Sequence, residues 1–155
     1  MCRIMNPPPK LTVSEWANKH RFLSRESSAQ PNKYRTALAP YQVEPMDAAN
    51  DETVQTICMM FASQTGKTEC INNVVGFFID SDPSPILVVQ PTTEFAEAWS
   101  KERLVPMLRD CRCFAGKVKD SRSRDSGNTI LHKSFIGGNI AIVGANAPTG
   151  LAGRP

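Results

Sequence analysis

The sequence predicts an α/β fold whose sheet is largely parallel and flanked by helices. Apolar, strand-like runs alternate with segments whose apolar residues recur at helical spacing, and this alternation is typical of parallel strands joined by crossover helices. At one strand-to-helix junction the chain reads Gly66, Lys67 and Thr68, the residue types that a phosphate-binding loop requires. Together these observations favour a sheet like that of P-loop NTPases, present here in incomplete form.

Length and composition fit one domain with a hydrophobic core. The chain has 155 residues, of which 41% are hydrophobic, and a chain of this size can bury a single core. No apolar run approaches the ~18 residues that a membrane-spanning helix needs. Residues 1–10 lack the apolar segment of a secretory signal. We therefore expect a protein with no membrane partner.

The cysteines and histidines do not predict a metal centre. The five cysteines form no CxxC pair. Cys58 stands in an apolar run and is predicted to be a core residue, while Cys111 and Cys113 have no neighbouring ligand to complete a zinc set. His20 and His132 are isolated in the sequence and are interpreted as core or surface residues. Reduced, structural thiols in a cytoplasm are therefore expected.

Charge is unevenly distributed along the chain. Residues 41–100 hold nine acidic side chains and a single cation, Lys67, whereas both flanks are basic. Within residues 41–100, Lys67 is therefore the single cationic side chain that could bind a phosphate group. The basic flanks fit a nucleic acid or an acidic partner, and they fit an ordinary solvated surface equally well.

Residues 1–39 are predicted to form a leader that contains one short helix. Thr12 and Glu15 have the spacing of a capping box, so a helix carrying Trp16 should begin there. Residues 24–31 are interpreted as a loop. The remainder of the chain is predicted to be the N-terminal part of a P-loop ATPase domain (40–155).

The first elements of that domain are a kinked helix and a buried strand. Pro40 suits the first turn of a helix over 40–49, which Pro45 would interrupt or kink. Residues 54–60 show little alternation between apolar and polar side chains, which predicts a strand buried on both faces.

Helix and strand alternate again after Gly66. Apolar residues recur at helical spacing over 71–78, and residues 86–89 form the next strand candidate. A helix with Trp99 on its apolar face follows and is expected to fade near Pro106.

Two more strands are predicted at 129–135 and 139–143, joined by a turn at 137–138. The strands at 54–60 and 86–89 are expected to join the last strand in one sheet. These two should be parallel, because a helix crosses between them.

The residues with the clearest chemistry lie at 62–69. A phosphate-binding loop needs backbone N–H groups that turn inward, which Gly66 permits by tolerating unusual dihedral angles. Lys67 supplies a cation for the β- and γ-phosphates, and Thr68 supplies a hydroxyl for Mg²⁺. The following helix points its N-terminus at the anion. The residues predicted to bind ATP are Ser63, Gln64, Thr65, Gly66, Lys67 and Thr68, with Mg²⁺ held through the nucleotide and Thr68.

The short Gly-Lys-Thr motif also occurs by chance, and a solvated helix start with a stray lysine is the alternative. The full P-loop pattern asks for glycine at the position of Phe61. With this departure, residues 63–69 preceded by Pro40, Tyr41 and Gln42 resemble the large terminase subunit of lambda-like tailed phages. The resemblance runs from about residue 9 to the end of the chain, through blocks at 85–92, 97–101, 123–135, 144–146 and 151–155.

The resemblance implies an activity and a set of partners. Proteins of this family use an N-terminal ATPase to drive viral DNA packaging by DNA translocation, and a C-terminal endonuclease to cut the DNA. The implied cofactors are ATP and Mg²⁺. The implied partners are double-stranded DNA, the terminase small subunit, the portal of the procapsid and further copies of the chain in a motor ring. The implied location is the cytoplasm of the bacterial host.

The resemblance also implies roles for residues outside the loop. Tyr41 and Gln42 are similar to the family's adenine-side motif, in which the ring stacks on the base and the amide meets the base edge. A core tyrosine beside a surface amide is the alternative. Arg154 is similar to an arginine that reaches the γ-phosphate of a neighbouring subunit, and a solvated arginine is the alternative there.

Two departures from the family pattern limit what is expected of this chain. Phe61 stands where the family usually has Lys or Arg, and the sequence ends at Pro155 before a strand that finishes in Asp-Glu. We therefore expect the 155-residue chain to bind ATP without hydrolysing it. Three hypotheses remain open: the ATP-binding portion of a terminase, a non-hydrolysing remnant of a decayed prophage terminase gene, or another P-loop protein such as a DNA translocase or a kinase.

Overall fold

The computed structural model describes residues 10–26, 31–118 and 128–146. The described residues form several helices, one three-stranded sheet and a separate ribbon of two short strands. The mixed α/β class predicted from the sequence is confirmed. The sheet is small and contains one parallel and one antiparallel pairing, so the prediction of a largely parallel sheet is not confirmed.

The first helix, α1 (Val13–His20), begins with the predicted capping box. The Thr12 hydroxyl accepts from the Glu15 N–H at 3.3 Å, and the Glu15 carboxylate accepts from the Thr12 N–H at 3.0 Å. Two N–H groups that would lack partners at the helix start are thereby satisfied. Trp16 of α1 is fully buried, so the predicted leader contributes to the main core.

The predicted helix over 40–49 is divided into shorter pieces. The α-helical part is α2 (Val43–Asp47), and Pro45 lies inside it. Proline lacks the N–H that a longer helix would use, which explains why only one turn is α-helical. Before α2, β1 (Phe22–Leu23) pairs antiparallel with β2 (Asn32–Lys33). The flanking 3-10 turns are Thr36–Leu38, Pro40–Gln42 and Ala48–Asn50.

Residues 54–60 do not form the buried strand that the sequence predicted. They have no regular secondary structure, and most of them are exposed. Met60 is 98% exposed, and Cys58 is also exposed, so its predicted core position is wrong. An apolar run is buried as a strand only where a neighbouring strand and a covering layer receive it. Among the described residues no strand pairs with this segment.

The helix α3 (Lys67–Asp80) forms as predicted after Gly66. It packs closely on α1, because Gly76 leaves room for the indole ring of Trp16. A Cβ atom at Gly76 would lie 2.4 Å from that ring. The side chain of Trp16 also meets Phe77 edge to face, with ring centroids 6.5 Å apart.

The three-stranded sheet has its last strand in the centre. The strands are β3 (Ile86–Gln90), β4 (His132–Phe135) and β5 (Gly138–Gly144), in the order β3-β5-β4. β3 is parallel to β5, and β4 is antiparallel to it. The tight turn between β4 and β5 contains Gly137 with a left-handed φ of 91°, so the predicted hairpin is confirmed.

The helical connection after β3 is longer than predicted. α4 (Thr93–Trp99) continues through a π-helical turn (Ser100–Leu104) into α5 (Val105–Asp110). The helix therefore does not fade near Pro106. That proline is the second residue of α5, in the first turn after the irregular segment, where a missing N–H is tolerated.

The core lies between α1, α3, the α4–α5 segment and the sheet. Large side chains that are fully or almost fully buried in it include Trp16, Met46, Phe77, Ile79, Trp99, Leu104, Phe114, Ile140 and Ile142. Within the three described ranges, no helix has the length and apolarity to cross a bilayer.

Candidate functional site

The loop at 61–68 enters α3 through two residues with positive φ. Gly66 has a φ of 83° and Gln64 a φ of 59°. Left-handed residues of this kind turn successive N–H groups toward one side, which is how backbone concavities bind anions. Gly66 suits its position because the left-handed region carries no Cβ penalty for glycine.

The first turn of α3 faces an open cleft. The N–H groups of Glu69 and Cys70 donate to the Gly66 carbonyl oxygen at 2.9 and 3.2 Å, so the helix is regular from its start. No described side chain caps this end, and the first N–H groups of α3 stay available to an anion. Lys67 and Thr68 are exposed at the mouth of the cleft, which has a volume of about 840 Å³.

Two residues from the preceding segment hold the loop in place. The Tyr41 hydroxyl and the Gln42 Nε2 both donate to the Thr65 carbonyl oxygen, at 2.9 and 3.0 Å. Gln42 is buried, and its Oε1 accepts from the Tyr34 hydroxyl at 2.6 Å. Burial raises the pKa of Tyr34, so this hydroxyl keeps its proton and remains a donor. The structure thus brings the predicted adenine-side pair next to the predicted phosphate loop.

Phe61 contacts Tyr41 at the edge of the cleft. Their ring centroids are 5.8 Å apart and the rings are nearly perpendicular, at 78°. Edge-to-face pairs of this kind are a favoured aromatic geometry. Tyr41 remains 54% exposed, so part of its ring is free to stack on a ligand. At the position where a cation was expected, the chain therefore has an aromatic contact.

The carboxylate nearest the loop is paired with arginines. The Glu69 Oε2 lies 2.9 Å from Nη2 of Arg21, and its Oε1 lies 3.9 Å from Nη1 of Arg103. The Asn72 amide also donates to Oε1, at 3.1 Å. Arg21 is buried, so this pair fixes the carboxylate against the core.

Arg103 is the site residue that the sequence did not predict. It belongs to the π-helical turn between α4 and α5 and lines the cleft together with Lys67 and Thr68. Its distance from the loop in the sequence and its ordinary helical context give no signal of this role. Only the folding of the α4–α5 segment against α3 shows that a second cation reaches the cleft.

The remaining predicted residues divide into two groups. Ser63, Gln64 and Thr65 line the cleft, and the Thr65 hydroxyl donates to the Ala62 carbonyl oxygen at 2.8 Å. Arg154 lies outside the described residues, as do residues 123–127 of the block at 123–135 and all of the block at 151–155.

Comparison with known proteins identifies the family. Residues 28–155 match the family described as phage terminase large subunit gpA, ATPase domain. The chain belongs to this family. The resemblance inferred from the loop and the surrounding sequence blocks is confirmed, and neither a decayed remnant nor another P-loop class is favoured.

Two curated relatives are terminase large subunits of phages. The protein of Enterobacteria phage P21 is 30% identical over 131 residues, which are 84% of this chain and 20% of that protein. The protein of Escherichia phage lambda is 24% identical over 135 residues, which are 87% of this chain and 21% of that protein. The chain thus spans about a fifth of the length of these relatives. No solved structure matches it.

Proposed function

We propose that this chain is the part of a phage terminase large subunit that binds Mg·ATP, with the triphosphate in the cleft at the start of α3. The observation that carries the proposal is the position of Lys67 and Thr68. Both are exposed at an uncapped helix start directly after the left-handed Gly66. This arrangement combines a cation, a hydroxyl and free N–H groups at one point, which is what a polyphosphate requires.

Each part of the loop has its own task in this proposal. The Lys67 ammonium binds the β- and γ-phosphates, and the Thr68 hydroxyl is a ligand of Mg²⁺. Ser63, Gln64 and Thr65 surround the phosphates with backbone N–H groups. The residues fit a hydrated Mg²⁺, because this ion takes few protein ligands and binds mainly phosphate and water oxygens.

The base is assigned to Tyr41. Its half-exposed ring stands beside the loop, and an aromatic face is a suitable platform for adenine. Gln42 is assigned a positioning role, because its amide already bonds Tyr34 and the Thr65 carbonyl oxygen. Contact of this amide with the base edge would require giving up a buried hydrogen bond, which costs about 1–3 kcal/mol.

Arg103 is proposed as the second cation for the phosphates. Its guanidinium lines the cleft and lies 3.9 Å from Glu69, so the carboxylate can direct it toward the loop. An arginine fork suits phosphate oxygens, because it offers several N–H donors in one plane. In this way a residue from the α4–α5 segment compensates for the aromatic side chain of Phe61.

The wider activity is proposed from the family. In the whole protein, the ATPase would drive DNA translocation into a procapsid in the host cytoplasm, and an endonuclease would cut the DNA. Double-stranded DNA, the terminase small subunit, the portal and further copies in a motor ring would be its partners. In such a ring Arg154 is the candidate that reaches a neighbouring nucleotide.

Calorimetric titration with Mg·ATP tests the nucleotide site. We expect Lys67→Ala to weaken binding at least about tenfold, or about 1.4 kcal/mol, because it removes the cation at the helix start. Lys101→Ala is the matched control, since Lys101 is exposed and pairs with Glu97 in a surface ion pair. Equal affinities of the wild type and the Lys67 variant would show that the loop does not hold the phosphates.

A further inference from the structure

A second group of polar side chains meets where α1 and α3 end. His20 is the last residue of α1, Asp80 is the last residue of α3, and Cys113 lies in the 3-10 turn after α5 (Arg112–Phe114). An imidazole nitrogen, a carboxylate oxygen and the thiol sulfur all lie within 4.8 Å of one another. In the described parts of the chain, no other group of three such side chains comes this close.

We propose that His20, Asp80 and Cys113 bind one zinc ion, with a fourth ligand from solvent. Zinc accepts nitrogen, oxygen and sulfur ligands in one tetrahedral shell, at about 2.0–2.3 Å. Ligand atoms in such a shell are separated by about 3.5 Å, so a small inward movement of three side chains completes the site. Magnesium and calcium prefer oxygen ligands alone, and the sulfur and nitrogen donors therefore favour zinc.

The carboxylate of Asp80 is already oriented by two neighbours. The Trp16 indole Nε1 donates to its Oδ2 at 2.7 Å. The Lys117 ammonium donates to its Oδ1 and, at 3.0 Å, to the Asp80 carbonyl oxygen. A carboxylate can accept about four hydrogen bonds or metal contacts, so positions remain for a metal. Outer hydrogen bonds of this kind usually hold metal ligands in the required direction.

The charges of the three ligands suit a divalent cation. Zinc binds the neutral form of the His20 imidazole through the lone pair of a ring nitrogen. Zinc binds the thiolate form of Cys113, so binding would release the thiol proton to solvent. The resulting thiolate and the Asp80 carboxylate together balance the two charges of zinc.

The open side of this group is a basic cleft. The cleft is lined by both His20 and Cys113 and by Lys19, Arg21, Lys33 and Arg112, with Asp110 as its acidic member. Zinc binding with loss of the thiol proton changes the charge of this group from that of the Asp80 carboxylate alone to neutral, so no net positive charge is placed beside these cations. Because His20 and Cys113 both line this cleft, water or a small anion could reach the zinc from it as the fourth ligand, as in open zinc sites.

Titration of the reduced 155-residue chain with Co²⁺ tests the site, because cobalt reports thiolate ligation and tetrahedral geometry by its absorption. We expect one cobalt per chain, with a thiolate-to-cobalt charge-transfer band that zinc abolishes by displacement. Cys113→Ser should remove the band. His20→Asn should lower the affinity at least about tenfold, since even outer-shell changes reach that size.

Cys58→Ser is the matched control, since Cys58 is an exposed cysteine outside the group, and it should leave the band unchanged. Absence of a saturable charge-transfer band in the wild-type chain would by itself contradict the proposal. A band that survives in Cys113→Ser, or that disappears in Cys58→Ser, would also contradict it. Far-ultraviolet circular dichroism identifies any variant that has lost its fold. If Cys113→Ser is unfolded, the cobalt affinity of His20→Asn tests the site instead, since His20 is only half-buried. Unchanged affinity in that variant would contradict the proposal.

Discussion

At the scale of single residues, one carbonyl oxygen organises the loop. The Thr65 carbonyl accepts hydrogen bonds from both Tyr41 and Gln42, and Tyr34 fixes the other end of the Gln42 amide. Because Gln42 is buried, its bond with the Tyr34 hydroxyl is shielded from water, whereas the Tyr41 bond is exposed. The left-handed Gly66 completes the arrangement, since a Cβ there would lie 2.4 Å from the Gln42 Nε2.

Removal of the Gln42 amide should therefore weaken both the fold and the site. We expect Gln42→Ala to lower the free energy of unfolding by about 1–3 kcal/mol, because it removes the Oε1 that accepts from the buried Tyr34 hydroxyl and leaves the weaker Met46 sulfur as acceptor. Urea denaturation measures the change. Gln55→Ala is the matched control at an exposed glutamine and should be near neutral. Equal stability of the two variants would show that the amide does not hold the loop.

Gly66→Ala should destabilise the protein through both backbone strain and a steric clash. Gly116→Ala serves as the comparison, because it introduces the backbone strain alone. Both glycines have left-handed φ angles, 83° and 76°, but only a Cβ at Gly66 would meet another atom. The left-handed strain alone costs about 1–2 kcal/mol. Gly66→Ala should lose more than Gly116→Ala in the same denaturation experiment, and it alone should weaken Mg·ATP binding. Identical losses, with ATP binding retained in both, would contradict the account of the loop.

At the scale of elements, the sequence predicts a helix start or a turn correctly where that feature depends on interactions between residues close together in the sequence. The capping box of α1, the start of α3 at Gly66 and the turn at Gly137 depend on neighbouring residues, and all three were predicted correctly. The strand at 54–60 was predicted wrongly, because pairing of a strand depends on distant residues. The helix end near Pro106 was also wrong, since the π-helical turn moves that proline into a tolerated position.

The candidate site likewise combines features that the local sequence predicts with features that depend on tertiary packing. The loop pattern alone predicts Lys67 and Thr68 as phosphate and Mg²⁺ ligands, because the order of residues in such a loop follows from phosphate geometry. The contact of Gln42 with Thr65, and the presence of Arg103 in the cleft, arise only when separate elements pack together. On α3, Ile71 belongs to the apolar residues that recur at helical spacing over 71–78, but it is 38% exposed, whereas Phe77 and Ile79 are buried.

The π-helical turn gives a prediction of its own. We expect Arg103→Gln to weaken Mg·ATP binding several-fold, by up to about tenfold or about 1.4 kcal/mol, because it removes the second cation of the cleft. Arg109→Gln is the matched control, since Arg109 pairs with Asp110 and Glu26 at the surface. Calorimetric titration of both variants measures the difference. Unchanged affinity in Arg103→Gln would leave Lys67 as the one cation that the phosphates need.

At the scale of the whole molecule, binding and hydrolysis of ATP make different demands. Of the described residues that line the cleft, Glu69 is the acidic one, and it is paired with the buried Arg21. A carboxylate held in this way is poorly placed to activate water for phosphoryl transfer. We therefore predict that the 155-residue chain binds ATP and hydrolyses it at the background rate, as measured by phosphate release. Mg²⁺-dependent turnover that Lys67→Ala abolishes would contradict this prediction.

The most direct test of the nucleotide site is a crystal structure of the chain with Mg²⁺ and a non-hydrolysable ATP analogue. We predict that the β- and γ-phosphates lie against the first turn of α3, within hydrogen-bonding distance of the Lys67 ammonium, with the Thr68 hydroxyl on the metal. The base should stack on Tyr41, and Arg103 should turn toward the phosphates. An analogue bound elsewhere on the chain, with the 61–68 loop empty, would contradict the central claim.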